Sequence, residues 1–396
     1  MTSVLVVHEA YAQAGGEDTA FAADVEVLRA NGHAVTVWKE DNGPIASWSY
    51  PRQATLFLRT SWSHRSYRHI RRLIRTVQPD VVHFHNTLPL ISPSAIRGAH
   101  AEGAAVVMTL HNYRLLCPSG LFFRQGHACE DCLGSLAYGV IHGCYRNSRP
   151  QTAAVAMMLS VHRALGTWRR CVDAYIVMTE FMRSKQIEAG LPADRIHLRP
   201  HFLPTPPVMP AHSGGDYAVF LGRLSPEKGV DTLLEASSML KLPVKIIGAG
   251  PMQSRVTQMA ASAPSLIHPL GQLPHHEAMS FLAGATALIF PSKCYESFAL
   301  AVAEAMSLGV PVVATDLGGR SEFVVDSVNG FLFKPGDASA LAELTNRLAG
   351  DADLRRRMGL AARRTYETKL APELSYRRLM DIYAAARSVA ALKAAS

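Results

Sequence analysis

The segment CYESFALAVAEAM, Cys294 to Met306, is mostly apolar yet carries two carboxylates, Glu296 and Glu304, eight positions apart. An ionised carboxylate in apolar surroundings is costly unless it is paired. The two acids therefore either sit on exposed ends or hold a polar ligand. Ser297 reads as a helix N-cap, which places Glu296 in the entry loop and Glu304 about two turns inside the helix. In a continuous helix the rise between them would be ~12 Å, at 1.5 Å per residue. That span suits one acid on a sugar hydroxyl and the other on a ribose diol, with a diphosphate between them. The amides of Phe298, Ala299 and Leu300 at the helix start would face the diphosphate. An exposed Glu304 on an amphipathic helix is the alternative, and it fits poorly beside Val302, Ala303, Ala305 and Met306.

Further candidate groups lie on either side. GRLSPEKGVDTLLEA begins at Gly222, directly after the apolar run YAVFL, so Arg223 and Lys228 stand near a strand end. A guanidinium and an ammonium beside a glycine-bearing loop suit a diphosphate. Taken alone they equally describe two surface charges. Ile247-Gly-Ala-Gly-Pro251, which contains Gly250, ends another apolar run with a glycine turn. It lacks the last glycine of a dinucleotide fingerprint, where Gln253 stands. Asp316-Leu-Gly-Gly-Arg-Ser-Glu322 is either a simple turn or a place of close backbone approach to a ligand.

Elements that could position these groups follow from the pattern. Short β-branched runs alternate with helical periods: Ser3–Val7, Ala34–Trp38, Val81–His85, Ala105–Leu110 and Ala174–Met178 read as strands, with helices near Asp18–Ala30 and Tyr67–Val77. This is the signature of a parallel sheet covered on both faces. The pattern restarts with strands at Tyr217–Leu221, Val244–Ile247, Ala287–Phe290 and Pro311–Thr315. Between the halves lies RPHFLPTPPVMPAHSGGD, with five prolines and no periodicity. The expectation is α/β: two doubly wound Rossmann-like domains facing across a cleft. Their bounds are 1–200, a proline-rich linker 201–215, 216–375, and a C-terminal helix 376–396.

Four cysteines, Cys117, Cys129, Cys132 and Cys144, are spaced C-x11-C-x2-C-x11-C. Four thiolates suit structural Zn²⁺, with His127 and His142 as substitute ligands. A disulfide framework or a redox pair is the alternative. The formal net charge of +8 fits a phosphate-bearing partner. Much of it sits in RTSWSHRSYRHIRRLIR, Arg59 to Arg75, with six arginines. This segment reads as a solvated helix face or as a patch for an anionic membrane surface. Nucleic acid is not expected, because no recognisable nucleic-acid module accompanies the patch. The start reads as a strand rather than a signal peptide, and no run of about 18 apolar residues occurs, so the expected location is cytoplasmic.

GRLSPEKG, the E-x7-E of Glu296 and Glu304, AMSLGVPVVAT and GGRSE, in this order, closely resemble the nucleotide-sugar domain of retaining glycosyltransferases of family 4, with the GT-B fold. The N-terminal half is similar through the Gly15-Gly16 loop, QPDVVHFHN and MTLHN. The resemblance implies a hexosyl transfer from a nucleoside-diphosphate sugar to a carbohydrate or lipid-linked acceptor hydroxyl, in surface polysaccharide or glycolipid assembly. It implies no cofactor for catalysis. It also implies that Arg223 and Lys228 hold the diphosphate, Glu304 the ribose, and Glu296 the donor sugar. Gly15 and Gly16 would lie beside the phosphates, with His111 facing the donor sugar. The chain departs from the family at His201, where relatives often carry asparagine. Alternatives are a non-catalytic nucleotide-sugar-binding protein, a zinc-bearing nucleic-acid binder, and a phosphorylase or epimerase of the same fold.

Overall fold

In the computed structural model the described residues are 1–11, 15–203 and 215–395. They form two units, one of Met1–Phe122, Glu130–Pro204 and Pro372–Ser396, the other of Phe123–Cys129 and Thr205–Ala371. Most of the expected linker, residues 204–214, lies outside the described residues.

The first unit is built on six parallel strands: β1 (Ser3–Ala10), β2 (Ala34–Asp41), β3 (Val81–Phe84), β4 (Ala105–Thr109), β5 (Ala174–Val177) and β6 (Ile196–Leu198). Their order in the sheet is β2-β1-β3-β4-β5-β6. Parallel strands covered on both faces must be apolar throughout. Val4, Leu5, Val6 and Val7 accordingly have no exposed surface. Helix α1 (Gly16–Ala30) follows β1, and α2 (Leu56–Ser61), α3 (His64–Val77) and α4 (Arg149–Ala164) lie further along the chain. The C-terminal helix, expected over 376–396, spans Pro372–Ala395. Its Leu379, Ile382, Tyr383 and Ala386 join the core made by Val4, Val6, Val81 and Val107.

The second unit repeats the plan with β7 (Ala218–Leu221), β8 (Val244–Ile247), β9 (Ile267–Gly271), β10 (Leu288–Phe290), β11 (Val312–Thr315) and β12 (Gly330–Phe333). The order is β9-β8-β7-β10-β11-β12, all parallel. The direction of winding reverses between β7 and β10. Ligands of open α/β sheets bind at such a switch point, outside the carboxyl ends of the strands. The loops that begin there are Gly222–Gly229 and Pro291–Ala299, which carry most of the residues singled out above. Strands β6, β9 and β12 are edges that the sequence pattern does not reveal. Polar His197 and His268, and Pro269, interrupt the apolar runs of β6 and β9.

One buried ion pair ties three segments of the first unit. Arg199, 2% exposed, donates to the Asp24 carboxylate at 2.5 and 3.0 Å and to the Ser375 carbonyl oxygen at 3.1 Å. It thereby joins the end of β6, helix α1 and the C-terminal helix. Removing one partner of a buried pair leaves the other charge uncompensated. Arg199→Leu should therefore cost about 3–5 kcal/mol in urea unfolding. An unchanged midpoint would show that the pair does not hold the helix in place.

Candidate functional site

At the switch point of the second sheet, Lys228 Nζ donates to Glu296 Oε1 at 2.8 Å. Ser292 Oγ donates to the same oxygen at 2.7 Å. Burial alone would push the Glu296 carboxyl up, but Lys228 and Arg320 outweigh it and hold the group below the usual carboxylate range. Glu296 is therefore an ionised acceptor and a weak base. Burial pulls Lys228 down, and Glu296 more than reverses that. Next to the pair, burial followed by the Glu296 charge pushes the Cys294 thiol up to about 12, so it stays protonated.

The loops that carry the pair are fixed by backbone approach and hydrogen bonds. Gly229 has φ +70°, and a Cβ there would meet the Pro291 carbonyl oxygen at 1.9 Å. Only glycine fits that junction of the two loops. Lys293 N donates to Glu227 O at 2.8 Å. Arg320, buried, donates to the carbonyl oxygens of Cys294, at 2.8 Å, and of Leu317, at 3.0 Å. Arg320 thus clamps the loop that presents Glu296. In the sequence only the paired glycines of GGRSE stand out, and nothing there marks this arginine. Gly250 packs on a neighbouring loop, because a Cβ would meet Leu224 O at 2.4 Å. Its glycine is accounted for by that contact. Arg223 is exposed at the end of β7.

The helix between the two acids, α5, spans Leu300–Ser307 with Ala299 as N-cap. It begins later than a Ser297 cap predicts. Ala299 O accepts from Val302 N at 3.0 Å and from Ala303 N at 3.2 Å. The amides at the helix start are therefore those of Leu300 and Ala301, while Phe298 and Ala299 precede the helix. Glu304 projects from its second turn, with a side chain 12% exposed. Its carboxylate accepts no hydrogen bond among the described residues. The imidazole of His275 lies beside it, with Nδ1 at 3.7 Å. Burial pushes its pKa up to about 7. A carboxylate in this state lacks a donor, and a vicinal diol supplies two.

In the first unit, His111 follows two residues after the end of β4, rather than ending the strand as expected, and is buried. Its Nε2 lies 3.0 Å from His85 Nδ1, and its Nδ1 lies 3.4 Å from His201 Nε2. The three rings stack, with centroids 5.1 and 5.2 Å apart. Burial, and then the neighbouring histidines and Arg199, push His111 well below the usual range, so the ring is neutral. Both nitrogens are thus already within reach of other histidines, a feature the sequence reading missed. His111 lines a cavity of about 50 Å³ with Glu17, Asn86, Leu88 and Asn112. Gly15 is the N-cap of α1 and Gly16 its first residue. Asp18 bonds the Gly15 amide at 2.9 Å and His8 at 2.9 Å. Asp24, His83 and His85 bring ligand atoms within 4.8 Å of one another. The Asp24 carboxylate is bridged by Arg199, which makes this a charge network rather than a cation site.

The cysteine set is only partly gathered. The neighbouring Cys132, and then Ser119, pull the Cys117 thiol well below its ordinary range, and Cys117 Sγ lies 3.2 Å from Ser119 Oγ. Among the described residues, no three of the sulfurs come within 4.8 Å of one another. The residues in this arrangement do not form a four-thiolate cage. The basic segment spans the end of α2, which carries Arg59, and α3, on which Arg71 and Arg75 bond Glu102 at 2.5 and 2.8 Å. Arg65, Arg68 and Arg72 remain on its exposed face. The helix near Gln151–Trp168 is α4 followed by a short turn of helix, Thr167–Arg170, and α4 buries Val155, Met158 and Leu159. No described helix is long and apolar enough to cross a membrane.

Residues 208–365 match the model of Glycosyl transferases group 1, and residues 19–205 match that of Glycosyltransferase Family 4. The alpha-maltose-1-phosphate synthase of Mycolicibacterium smegmatis is 30% identical over 269 residues, which are 58% of this chain and 69% of that protein. The amylovoran biosynthesis glycosyltransferase AmsK of Erwinia amylovora is 31% identical over 175 residues, 41% of this chain. That match spans 43% of the Erwinia protein's length. Among solved structures, Anabaena HepE in complex with UDP aligns with a TM-score of 0.68 at 16% identity, covering 96% of this chain and 98% of the other. The chain belongs to the GT-B glycosyltransferases, each of its two units being Rossmann-like.

The raised pKa of Glu304 gives a signed expectation. The folded protein binds this proton more tightly than the unfolded chain does. The group therefore favours the folded state at low pH, and the benefit is lost as pH rises through about 7. Thermal unfolding of wild type and Glu304→Gln should diverge in that window, the wild type losing stability relative to the variant. A constant difference across pH would contradict the buried, unpartnered carboxylate.

Proposed function

We propose that the protein transfers a hexosyl group from a nucleoside-diphosphate sugar to an acceptor hydroxyl, with retention at the anomeric carbon. The observation that carries this reading is the set at the β7/β10 switch point. An ionised Glu296 paired with Lys228 and a buried Glu304 whose carboxylate accepts no hydrogen bond among the described residues stand eight residues apart, with a helix N-terminus between them. Glu304 would accept hydrogen bonds from the ribose diol. Lys228, Arg223 and the Leu300 and Ala301 amides would take up the charge that grows on the departing diphosphate. Glu296, held ionised, would orient a hydroxyl of the donor sugar.

In the transfer, the bond from the anomeric carbon to the β-phosphate oxygen breaks. A bond to the acceptor oxygen forms on the same face, and the acceptor proton passes to the diphosphate. No resident metal is required, because the charge stabilisation comes from side chains and amides. On the first unit, Gly15, Gly16 and His111 would serve the phosphates and the sugar. His111 can do so only if His85 or His201 gives up one of its nitrogens. The UDP in the HepE structure and the polysaccharide role in the AmsK name favour a UDP-sugar donor and a surface-polysaccharide or glycolipid product. Work at the cytoplasmic membrane face, with Arg65, Arg68 and Arg72 toward anionic headgroups, belongs to the same reading. So does a structural Zn²⁺, which would require the cysteine loop to tighten around the Cys117–Cys132 pair.

Two experiments test these statements. Proton NMR of the product formed from a UDP-sugar should show the anomeric configuration of the donor. Glu296→Ala should lower turnover about a hundredfold or more, as loss of a group that orients the reacting centre does. An inverted product, or full turnover in Glu296→Ala, would contradict the mechanism. If the cysteine loop tightens in this way, metal analysis of purified protein finds about one zinc per chain. A metal-free protein of unchanged thermal stability would remove zinc from the account.

A further inference from the structure

The first unit holds a cavity of about 500 Å³, well within the range of ligand pockets. Its walls are mostly apolar: Ile45, Leu56, Phe57, Pro89, Ala154 and Val155. The residues come from α2, α4 and the loops that follow β2 and β3, so the groove opens at the carboxyl edge of the sheet, where doubly wound folds bind ligands. The loop after β3 is braced from below. Glu9, buried at the end of β1, accepts from the amides of Leu90 and Ile91 at 2.9 Å each. Beside the groove the apolar surface continues outward, with Phe57 40% and Leu58 69% exposed.

The polar part of the groove is one-sided. No carboxylate lines it. Arg146 does, exposed and lying over the Tyr145 ring at 5.4 Å from the centroid. It makes no ion pair among the described residues. Leu88 lines both this groove and the small cavity of His85 and His111.

We propose that this groove binds the apolar chain of the acceptor, an isoprenoid or acyl chain joined through phosphate to the group that receives the sugar, with Arg146 on the phosphate. This rests on the sugar-transfer reading and names the acceptor class it leaves open. A saccharide alone would leave the Ile45, Leu56 and Val155 walls without a partner. An uncharged lipid would leave Arg146 without one.

Geranyl phosphate, geraniol and inorganic phosphate test the proposal by titration against the full chain in detergent-free buffer, with UDP as an independent ligand. Geranyl phosphate should bind about tenfold or more tighter than inorganic phosphate, because the chain adds apolar burial. Arg146→Asn, which suits the left-handed backbone at φ +55°, should weaken geranyl phosphate about fivefold or more and leave geraniol within about twofold. Ala154→Trp, which fills the groove, and Phe57→Ser, which strips one wall, should each weaken both chain ligands while leaving UDP unchanged. Geranyl phosphate no tighter than phosphate, or indifferent to all three substitutions, would overturn the proposal. Should UDP bind and geranyl phosphate not, the groove assignment falls and the sugar-transfer reading stands. The reverse pattern sustains the groove and refutes the transferase.

Discussion

The ion pair of Lys228 and Glu296 constrains the second unit more than any other contact. Each partner would be driven toward its neutral form by burial, and each is kept charged by the other. The pair can exist only if the loops after β7 and β10 stay side by side. Gly229 under Pro291, the Lys293–Glu227 backbone bond and the Arg320 clamp enforce that. The result is a sheet end whose own acid is fixed and ionised. That acid can order hydroxyls without competing for protons.

The histidine column in the first unit answers a different constraint. His83, His85 and His111 are buried, His201 is half-buried beside them, and all four are kept neutral, with burial first among the causes. Neutral imidazoles can bond one another in series because each offers one donor and one acceptor. The Asp24–Arg199 pair closes the polar cluster and anchors the C-terminal helix through Ser375. His83 adds a second tie to the same helix at Tyr383 Oη, 2.9 Å away. Packing of the last helix and orientation of the strand-end histidines are thus one network.

Much of this was legible in the sequence, unevenly. The parallel strands read out because both of their faces are buried, as at Val4–Val7. Lys228, Glu296 and Glu304 read out because a short motif at a strand end carries its chemistry locally. The start of α5 did not. Ser297 has good N-cap chemistry, but the loop is held by Arg320 from elsewhere in the fold and by Ser292 within it, and the helix opens at Ala299. Arg320 itself looked like part of a turn, since its partners are carbonyl oxygens that no pattern marks. His85 and His201 come from segments far from His111 in the chain. No spacing could have announced that they enclose it. The cysteines are a different case: their regular spacing suggests a cage, and among the described residues no three of the sulfurs lie within 4.8 Å of one another.

The central claim is that the second unit is built around a nucleoside diphosphate, with Glu304 on the ribose. Calorimetric titration of UDP, GDP, ADP and dTDP into wild type and Glu304→Ala measures it most directly. The account predicts that one nucleotide binds the wild type well above the rest and that the substitution weakens it about tenfold or more, the loss expected when hydrogen bonds to a charged group are removed. Equal affinities in the two proteins would take Glu304 off the ribose. Binding of none of the four would contradict the nucleotide site itself.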